Sequence, residues 1–176
     1  AIQSRGTVGG NLANGSPAAD TPPSLLAYGA ELELRSIRGA RWVAYADFHT
    51  GYKTSLLGVD ELITRIRVPR PLVDGYHYFR KVGTRRAQAI AKVSLAAWVR
   101  PEQGLIAEVR LGLGSVAPFP LRAKHAEAAL LGADLDTPEI QEAKAAYDNA
   151  AAAFSAVAKE KADAGITSLF MYADPT

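Results

Sequence analysis

The feature that most constrains this chain is the segment from Gly6 to Asp20, which concentrates glycine, asparagine, serine and proline. Glycine permits positive φ and a close approach of backbone to a ligand, and short polar side chains can face a phosphate or a sugar. The composition therefore favours an irregular loop, either one that binds a ligand or one that only covers the surface. The segment contains neither a Walker A loop nor the GxGxxG dinucleotide fingerprint.

Composition excludes several classes of function. The 176 residues are 48% hydrophobic and 22% charged with a net charge of +2, which is typical of a globular protein and makes nucleic acid a poor candidate partner. The absence of cysteine excludes disulfides, iron-sulfur ligation and thiolate metal sites, so a redox role needs a bound cofactor. His49, His77 and His125 lack metal-site spacing. No apolar stretch is long enough for membrane insertion, and we expect a cytoplasmic protein.

Local patterns predict helices and strands in the first part of the chain. Asp20 is placed to cap a helix that has Pro22 in its first turn and Gly29 after its end. Alternating polar and apolar residues predict a β-hairpin over 31–45 and a strand over 64–68. The proline- and glycine-containing stretch 69–75 is the candidate domain boundary.

The second part of the chain reads as strands followed by helices. The expected strands are 76–82, 91–100 and 105–113, and the last two are joined by a turn, which indicates an antiparallel sheet. Helical patterns follow at 121–131 and from Thr137 to about residue 164, where apolar residues recur at three- and four-residue spacing. Strands followed by helices indicate an α+β fold.

Several motifs of this chain resemble one protein family. Residues 5–20, with the sequence RGTVGGNLANGSPAAD, are similar to the glycine-rich segment in the FAD-binding subunits of molybdenum hydroxylases of the xanthine dehydrogenase and carbon monoxide dehydrogenase type. The resemblance continues in register through residues 22–27, 48–54, 60–63, 80–86, 90–93 and 114–123. It covers about residues 1 to 132 and is weak in roughly the last forty residues.

The resemblance implies a fold in two parts. Residues 1–72 are expected to form the C-terminal part of an FAD-binding domain of the vanillyl-alcohol-oxidase type. Residues 73–176 are expected to form a small antiparallel sheet packed with helices, similar to the C-terminal domain of the carbon monoxide dehydrogenase flavoprotein. Family members carry a longer N-terminal region with a further glycine-rich loop, so we expect this chain to be an N-terminally truncated version of the subunit.

The resemblance also assigns candidate flavin-binding residues by position. The flavin-lining positions in the motif are Thr7, Gly9, Gly10, Asn11, Asn14, Ser16 and Asp20, and the positions implied near the isoalloxazine are Ile63 and Lys81. Three of these residues have alternative interpretations. Asp20 can be a helix cap, Ile63 an ordinary core residue, and Lys81 part of a solvated basic face. His49 and Tyr52 belong to no recognised acid–base or nucleophile pattern in the sequence and are left out of the site.

The implied function is electron transfer. In the family, substrate is hydroxylated at a molybdopterin-binding large subunit, electrons cross a 2Fe-2S small subunit, and FAD passes them to NAD or another acceptor. The expected cofactor is therefore FAD, the expected assembly is a hetero-oligomer, and the chain alone should have no hydroxylase activity. The alternative hypothesis is a flavin-free structural fragment that docks to partner subunits.

Overall fold

The computed structural model describes residues 5–70, 75–85, 89–135 and 137–138. In chain order, the elements are α1 (Val8–Ala13), α2 (Thr21–Ala27), β1 (Glu31–Ser36), β2 (Gly39–Ala44), α3 (Tyr45–Phe48), β3 (His49–Gly51), β4 (Thr54–Ser55), β5 (Leu62–Arg67), β6 (Tyr76–Gly83), β7 (Ala91–Glu102), β8 (Leu105–Gly114), β9 (Leu121–Arg122) and α4 (Lys124–Leu130). The mixture of helices and antiparallel sheets confirms the predicted α+β class. The helix predicted from Thr137 onward lies almost entirely outside the described residues.

The first sheet has the strand order β2-β1-β5 and is antiparallel throughout. Because side chains alternate between the two faces of a strand, Leu32 and Leu34 of β1 point to the same side, where both are completely buried. They belong to a core whose buried members are Leu12, Leu26, Ala30, Leu32, Leu34, Tyr45 and Phe48. Helices α1, α2 and α3 thus pack their apolar residues against one face of this sheet.

The opposite face of the first sheet carries charged side chains. Glu33 is 4% exposed and accepts a 2.6 Å hydrogen bond from the Thr64 hydroxyl. This hydrogen bond, aided by the positive charges of Arg35 and Arg65, holds the pKa of Glu33 below its ordinary value. A buried carboxylate is tolerated here because it has hydrogen-bond donors and positive charges around it.

Glu61 joins the turn before β5 to β2. Its carboxylate accepts 2.8 Å hydrogen bonds from Arg41 Nε, Arg41 Nη2 and the Gly58 amide. The Arg41 hydrogen bonds, followed by the Gly58 amide, lower the pKa of Glu61 to about 2. A carboxylate with a lowered pKa in the folded state adds stability above its unfolded pKa, and that stability disappears as the pH falls toward the folded pKa.

We therefore expect Glu61→Gln to lower the thermal midpoint at about pH 7 and to have a smaller effect as the pH approaches about 2. The measurement is the wild-type minus variant difference in unfolding midpoint across this range. Glu102→Gln, which removes the carboxylate of another Arg–Glu pair, controls for the loss of one surface charge. An effect of Glu61→Gln that is equally large at low and neutral pH would contradict stabilisation by the charged Glu61 carboxylate.

The second sheet has the order β6-β7-β8-β9 and is also antiparallel. The long strands β7 and β8 are joined by a tight turn in which Gln103 and Gly104 have φ of 53° and 81°. Helix α4 is tied to the sheet by Glu127, which accepts hydrogen bonds from the Leu111 amide at 2.7 Å and from Arg122 Nη2 at 2.6 Å. These strands confirm the antiparallel sheet that the sequence predicts.

Helix α2 packs on one face of the second sheet and so connects the two halves of the described chain. A Cβ atom built at Gly112 would overlap the carbonyl of Pro23, so the helix backbone lies directly against β8. The Ser115 amide donates to the Pro17 carbonyl at 2.8 Å, and the Tyr28 hydroxyl bonds His77 Nδ1 at 2.8 Å. These contacts hold the glycine-rich segment and the second sheet in one arrangement.

Several boundaries differ from the sequence-based expectations. The segment 8–13 is helical although its composition predicts a loop, because capping and burial of Leu12 outweigh the poor helix propensity of glycine. The stretch 48–53, which the sequence indicates as a loop, contributes β3 and the turn of the β3–β4 hairpin. The helix expected over 121–131 begins only at Lys124, since Leu121 and Arg122 pair with β8 as β9.

Candidate functional site

The glycine-rich segment begins with a capped helix. The Thr7 hydroxyl accepts a 2.9 Å hydrogen bond from the Gly10 amide, and the Thr7 carbonyl accepts one from the Asn11 amide at 3.0 Å. An N-cap hydroxyl satisfies one of the free amides of the first turn, which lets α1 start among glycines. Leu12 is buried, whereas Thr7, Gly10, Asn11 and Asn14 are exposed. The helix therefore presents short polar groups to solvent.

Gly9 brings Ile63 next to this helix. A Cβ atom at Gly9 would lie 3.2 Å from the Ile63 carbonyl oxygen, which is tighter than an ordinary contact, and 3.5 Å from the Ile63 Cβ. The absence of a side chain at Gly9 thus lets α1 lie directly on β5. Ile63 is partly buried and also packs against the core. Its core role and its position beside the motif are therefore compatible.

The end of α1 is shaped by Gly15. This residue is buried with φ of +61°, a conformation that favours glycine, and an added Cβ would lie 3.2 Å from Lys53 Cα. The next residue, Ser16, accepts a 3.3 Å hydrogen bond from the Ala18 amide. The tip of the β3–β4 hairpin thus lies beside Asn14 and Ser16, a proximity that no sequence pattern indicates.

Asp20 and Lys81 form a direct ion pair. Lys81 Nζ of β6 lies 2.7 Å from Asp20 Oδ2, with the two side chains 26% and 54% exposed. Asp20 occupies the N-cap position of α2 but makes no capping hydrogen bond with its side chain. The predicted capping bond is therefore wrong, because the amides that an N-cap side chain bonds belong to the second and third helical positions, and here these are Pro22 and Pro23, which have no N–H. The carboxylate pairs with Lys81. Gly29 does follow the end of α2, as predicted, with φ of +63°.

The predicted site residues thus form two contacting pairs and one row that is exposed except at the half-buried Ser16. Gly9 touches Ile63, and Asp20 touches Lys81. The remaining predicted residues follow one another along α1 and the turn after it; they are Thr7, Gly10, Asn11, Asn14 and Ser16. Residues far apart in sequence, at 63 and 81, are therefore each brought into contact with the glycine-rich segment.

His49 and Tyr52, which the sequence analysis leaves out of the site, have different surroundings. His49 is buried against Tyr45, Phe48 and Phe119, and burial lowers its pKa. Its Nε2 lies 3.3 Å from the Tyr45 hydroxyl, and its Nδ1 has no hydrogen-bond partner among the residues that the structure describes. Tyr52 is 61% exposed. His49 is thus a core residue packed between α3 and the loop that carries Phe119.

Within the described ranges, no group of three or more His, Asp or Glu side chains is arranged to hold a metal ion. In that same part of the chain, no helix is long and apolar enough to cross a bilayer.

Two family models match consecutive parts of the chain. Residues 1–71 match the FAD binding domain in molybdopterin dehydrogenase, and residues 77–163 match the CO dehydrogenase flavoprotein C-terminal domain. The chain belongs to the FAD-binding medium subunits of molybdenum hydroxylases. The resemblance seen in the sequence motifs is confirmed.

Relatives of this family agree in sequence and in fold. The chain is 35% identical to the xanthine dehydrogenase FAD-binding subunit of Escherichia coli O157:H7, over 80% of this chain and 48% of the relative. It is 35% identical to the carbon monoxide dehydrogenase medium chain of Afipia carboxidovorans, over 82% and 50% of the two chains. A crystal structure of cyanide-inactivated Cu,Mo-CO dehydrogenase superposes with a TM-score of 0.72 at 35% identity, again over 82% and 50%. The chain spans about half the length of the curated relatives it matches.

Proposed function

We propose that this chain is part of an FAD-binding electron-transfer subunit of a molybdenum hydroxylase. The observation that carries the proposal is the clustering of residues 7–20 with Ile63 and Lys81, which are distant in sequence and were each assigned to flavin binding by position. Two domains, 1–72 and 73–176, would then share the site, since Lys81 comes from the second.

The residues present fit a flavin dinucleotide. The exposed side of α1 offers amide and hydroxyl groups at Thr7, Asn11 and Asn14, which can hydrogen-bond phosphate and carbonyl oxygens. Gly10 is exposed, so a ligand can approach its backbone closely, whereas Gly9 lets α1 lie against Ile63. Ile63 supplies an apolar contact and Lys81 a positive charge. We assign these residues, together with Ser16 and Asp20, to FAD binding.

FAD supplies the redox chemistry when bound, and the protein supplies binding, orientation and electrostatics. The Lys81 ammonium would favour negative charge on a nearby group through Coulomb attraction. The absence of cysteine in this chain agrees with iron-sulfur clusters and the molybdenum cofactor on other subunits. We propose as partners a molybdopterin-binding large subunit and a 2Fe-2S small subunit in a cytoplasmic enzyme, with NAD or another electron acceptor. The chain alone would be inactive as a hydroxylase.

The proposal predicts that purified protein retains FAD absorbance after FAD is added and the sample is desalted. Gly9→Leu should weaken FAD binding about ten-fold or more, because a side chain there would push α1 away from Ile63. The matched control is Ala40→Leu, which adds the same side chain at an exposed position of β2. Affinities are measured by flavin fluorescence titration.

The outcomes separate the proposal from its alternative. A protein that is colourless after incubation with excess FAD and desalting supports a flavin-free fragment that only docks to partner subunits. Equal FAD affinities for Gly9→Leu and Ala40→Leu would show that flavin binds elsewhere, because only Gly9 lies in the proposed site.

A further inference from the structure

The Asp20–Lys81 ion pair connects the two halves of the described chain. It joins the end of the glycine-rich segment to β6, across 61 positions of sequence, at a distance of 2.7 Å. Asp20 stands at the N-cap of α2, but the second and third positions of this helix are Pro22 and Pro23, which offer no amide to its side chain. The carboxylate is therefore free of any bond to the helix and pairs with Lys81.

The register of β6 explains why the two side chains meet. Lys81 lies directly opposite Ser94 of β7, and residues opposite each other in an antiparallel pair share one face of the sheet. Ser94 is buried on the face that α2 covers, close to Gly114 and Pro23. Lys81 thus rises from the sheet on the side where α2 begins, and Asp20 receives its ammonium group there.

We propose that Asp20 is a positioning residue that holds the Lys81 ammonium in place for the flavin, an inference that rests on the proposed function. A lysine side chain has four rotatable bonds, so an unpaired ammonium would spread over many positions. A carboxylate at 2.7 Å restricts it before any ligand arrives. Asp20 would then act on flavin binding through Lys81, and not through a hydrogen bond of its own to a sugar hydroxyl.

The change in FAD affinity on removal of the Asp20 charge distinguishes three roles of this residue: a purely electrostatic effect, positioning of Lys81, and direct contact with a sugar hydroxyl. FAD is an anion, so simple electrostatics predicts tighter binding once a nearby carboxylate is lost. Positioning predicts weaker binding, because Lys81 loses its fixed place. Direct contact with a sugar hydroxyl also predicts weaker binding, but that loss would persist when Lys81 is already absent.

The experiment is a double-mutant cycle of FAD affinity on the full chain, with Asp20→Asn, Lys81→Gln and the double variant. We expect each single change to weaken binding by a similar factor, on the order of ten-fold, and the double variant to be no weaker than Lys81→Gln. Lys81→Arg, which keeps the charge and the pairing, should retain most of the affinity. Glu102→Gln, which breaks the exposed Arg100–Glu102 pair, is the control and should bind as wild type does.

Two results would overturn the inference while leaving the proposed function intact. Additive losses would assign Asp20 a direct ligand contact, and unchanged or tighter binding by Asp20→Asn would assign it no positioning role. Wild-type protein that binds no FAD would overturn the proposed function as well as this inference, and it is recognised because no variant then shows any titration. The same cycle on the unfolding free energy reports whether the pair also stabilises the fold, an effect that alone would leave FAD affinity unmoved.

Discussion

Gly112→Val is expected to destabilise the chain by about 3 kcal/mol or more, lowering the unfolding midpoint by roughly 6–12 °C. Even the first carbon of a side chain at this position would overlap the carbonyl of Pro23. That carbonyl belongs to the backbone of α2, so it cannot turn aside as a flexible side chain would. The helix would have to lift from the second sheet, and the contacts of Ser115 and Tyr28 across the same junction would be lost with it.

The matched control is Lys92→Val, which places the same side chain at an exposed position of the neighbouring strand β7. It should change stability by no more than about 0.5 kcal/mol. The stability of both variants is measured by thermal and denaturant unfolding, with tryptophan fluorescence as the signal. If Gly112→Val were as stable as Lys92→Val, α2 would not rest on the second sheet. The proposed flavin site, which uses residues from both halves of the chain, would then lose its structural basis.

Phe48→Ala is expected to cost about 3–5 kcal/mol, the range observed when a buried aromatic side chain is truncated. Phe48 is completely buried, and its ring packs edge-on against His49 with centroids 4.9 Å apart. It lies in the core beneath the first sheet, together with the Leu12 side chain of α1. The loss of packing should therefore also loosen the helix that carries the proposed flavin contacts.

Tyr52→Ala is the control for Phe48→Ala, because Tyr52 is an exposed aromatic residue on the adjacent hairpin. Its truncation should leave stability within about 0.5 kcal/mol of wild type. The free energy of unfolding is obtained from urea titrations in which wild type and variant are fitted with the same dependence on urea concentration. A cost below about 1 kcal/mol for Phe48→Ala would contradict the position of the core given above.

The strands were predictable because their pattern is local. Alternation over Glu31–Arg35 and strand-forming residues in β6, β7 and β8 are enough to indicate antiparallel pairs, and turns between them fix the neighbours. The same alternation would place Glu33 on an exposed face, whereas it is buried under Thr64. That burial depends on the pairing of β1 with β5, which alternation along β1 does not reveal.

The parts of the site that escaped prediction depend on contacts between distant residues. Glycine lowers helix propensity by about 1 kcal/mol per residue relative to alanine, so a segment with Gly9 and Gly10 reads as a loop. The cap at Thr7 and the close packing on Ile63 reverse that preference. The resemblance assigns both Asp20 and Lys81 to the flavin site, but nothing in the sequence indicates that the two residues touch.

The most direct test of the central claim is hydrogen–deuterium exchange with and without FAD. The account predicts FAD-dependent protection of the amides over 7–16 and in β6 around Lys81, with no change in the β1–β2 hairpin tip around Arg38. Protection confined to other segments, or no protection at saturating FAD, would contradict the proposal that these residues form one flavin-binding surface.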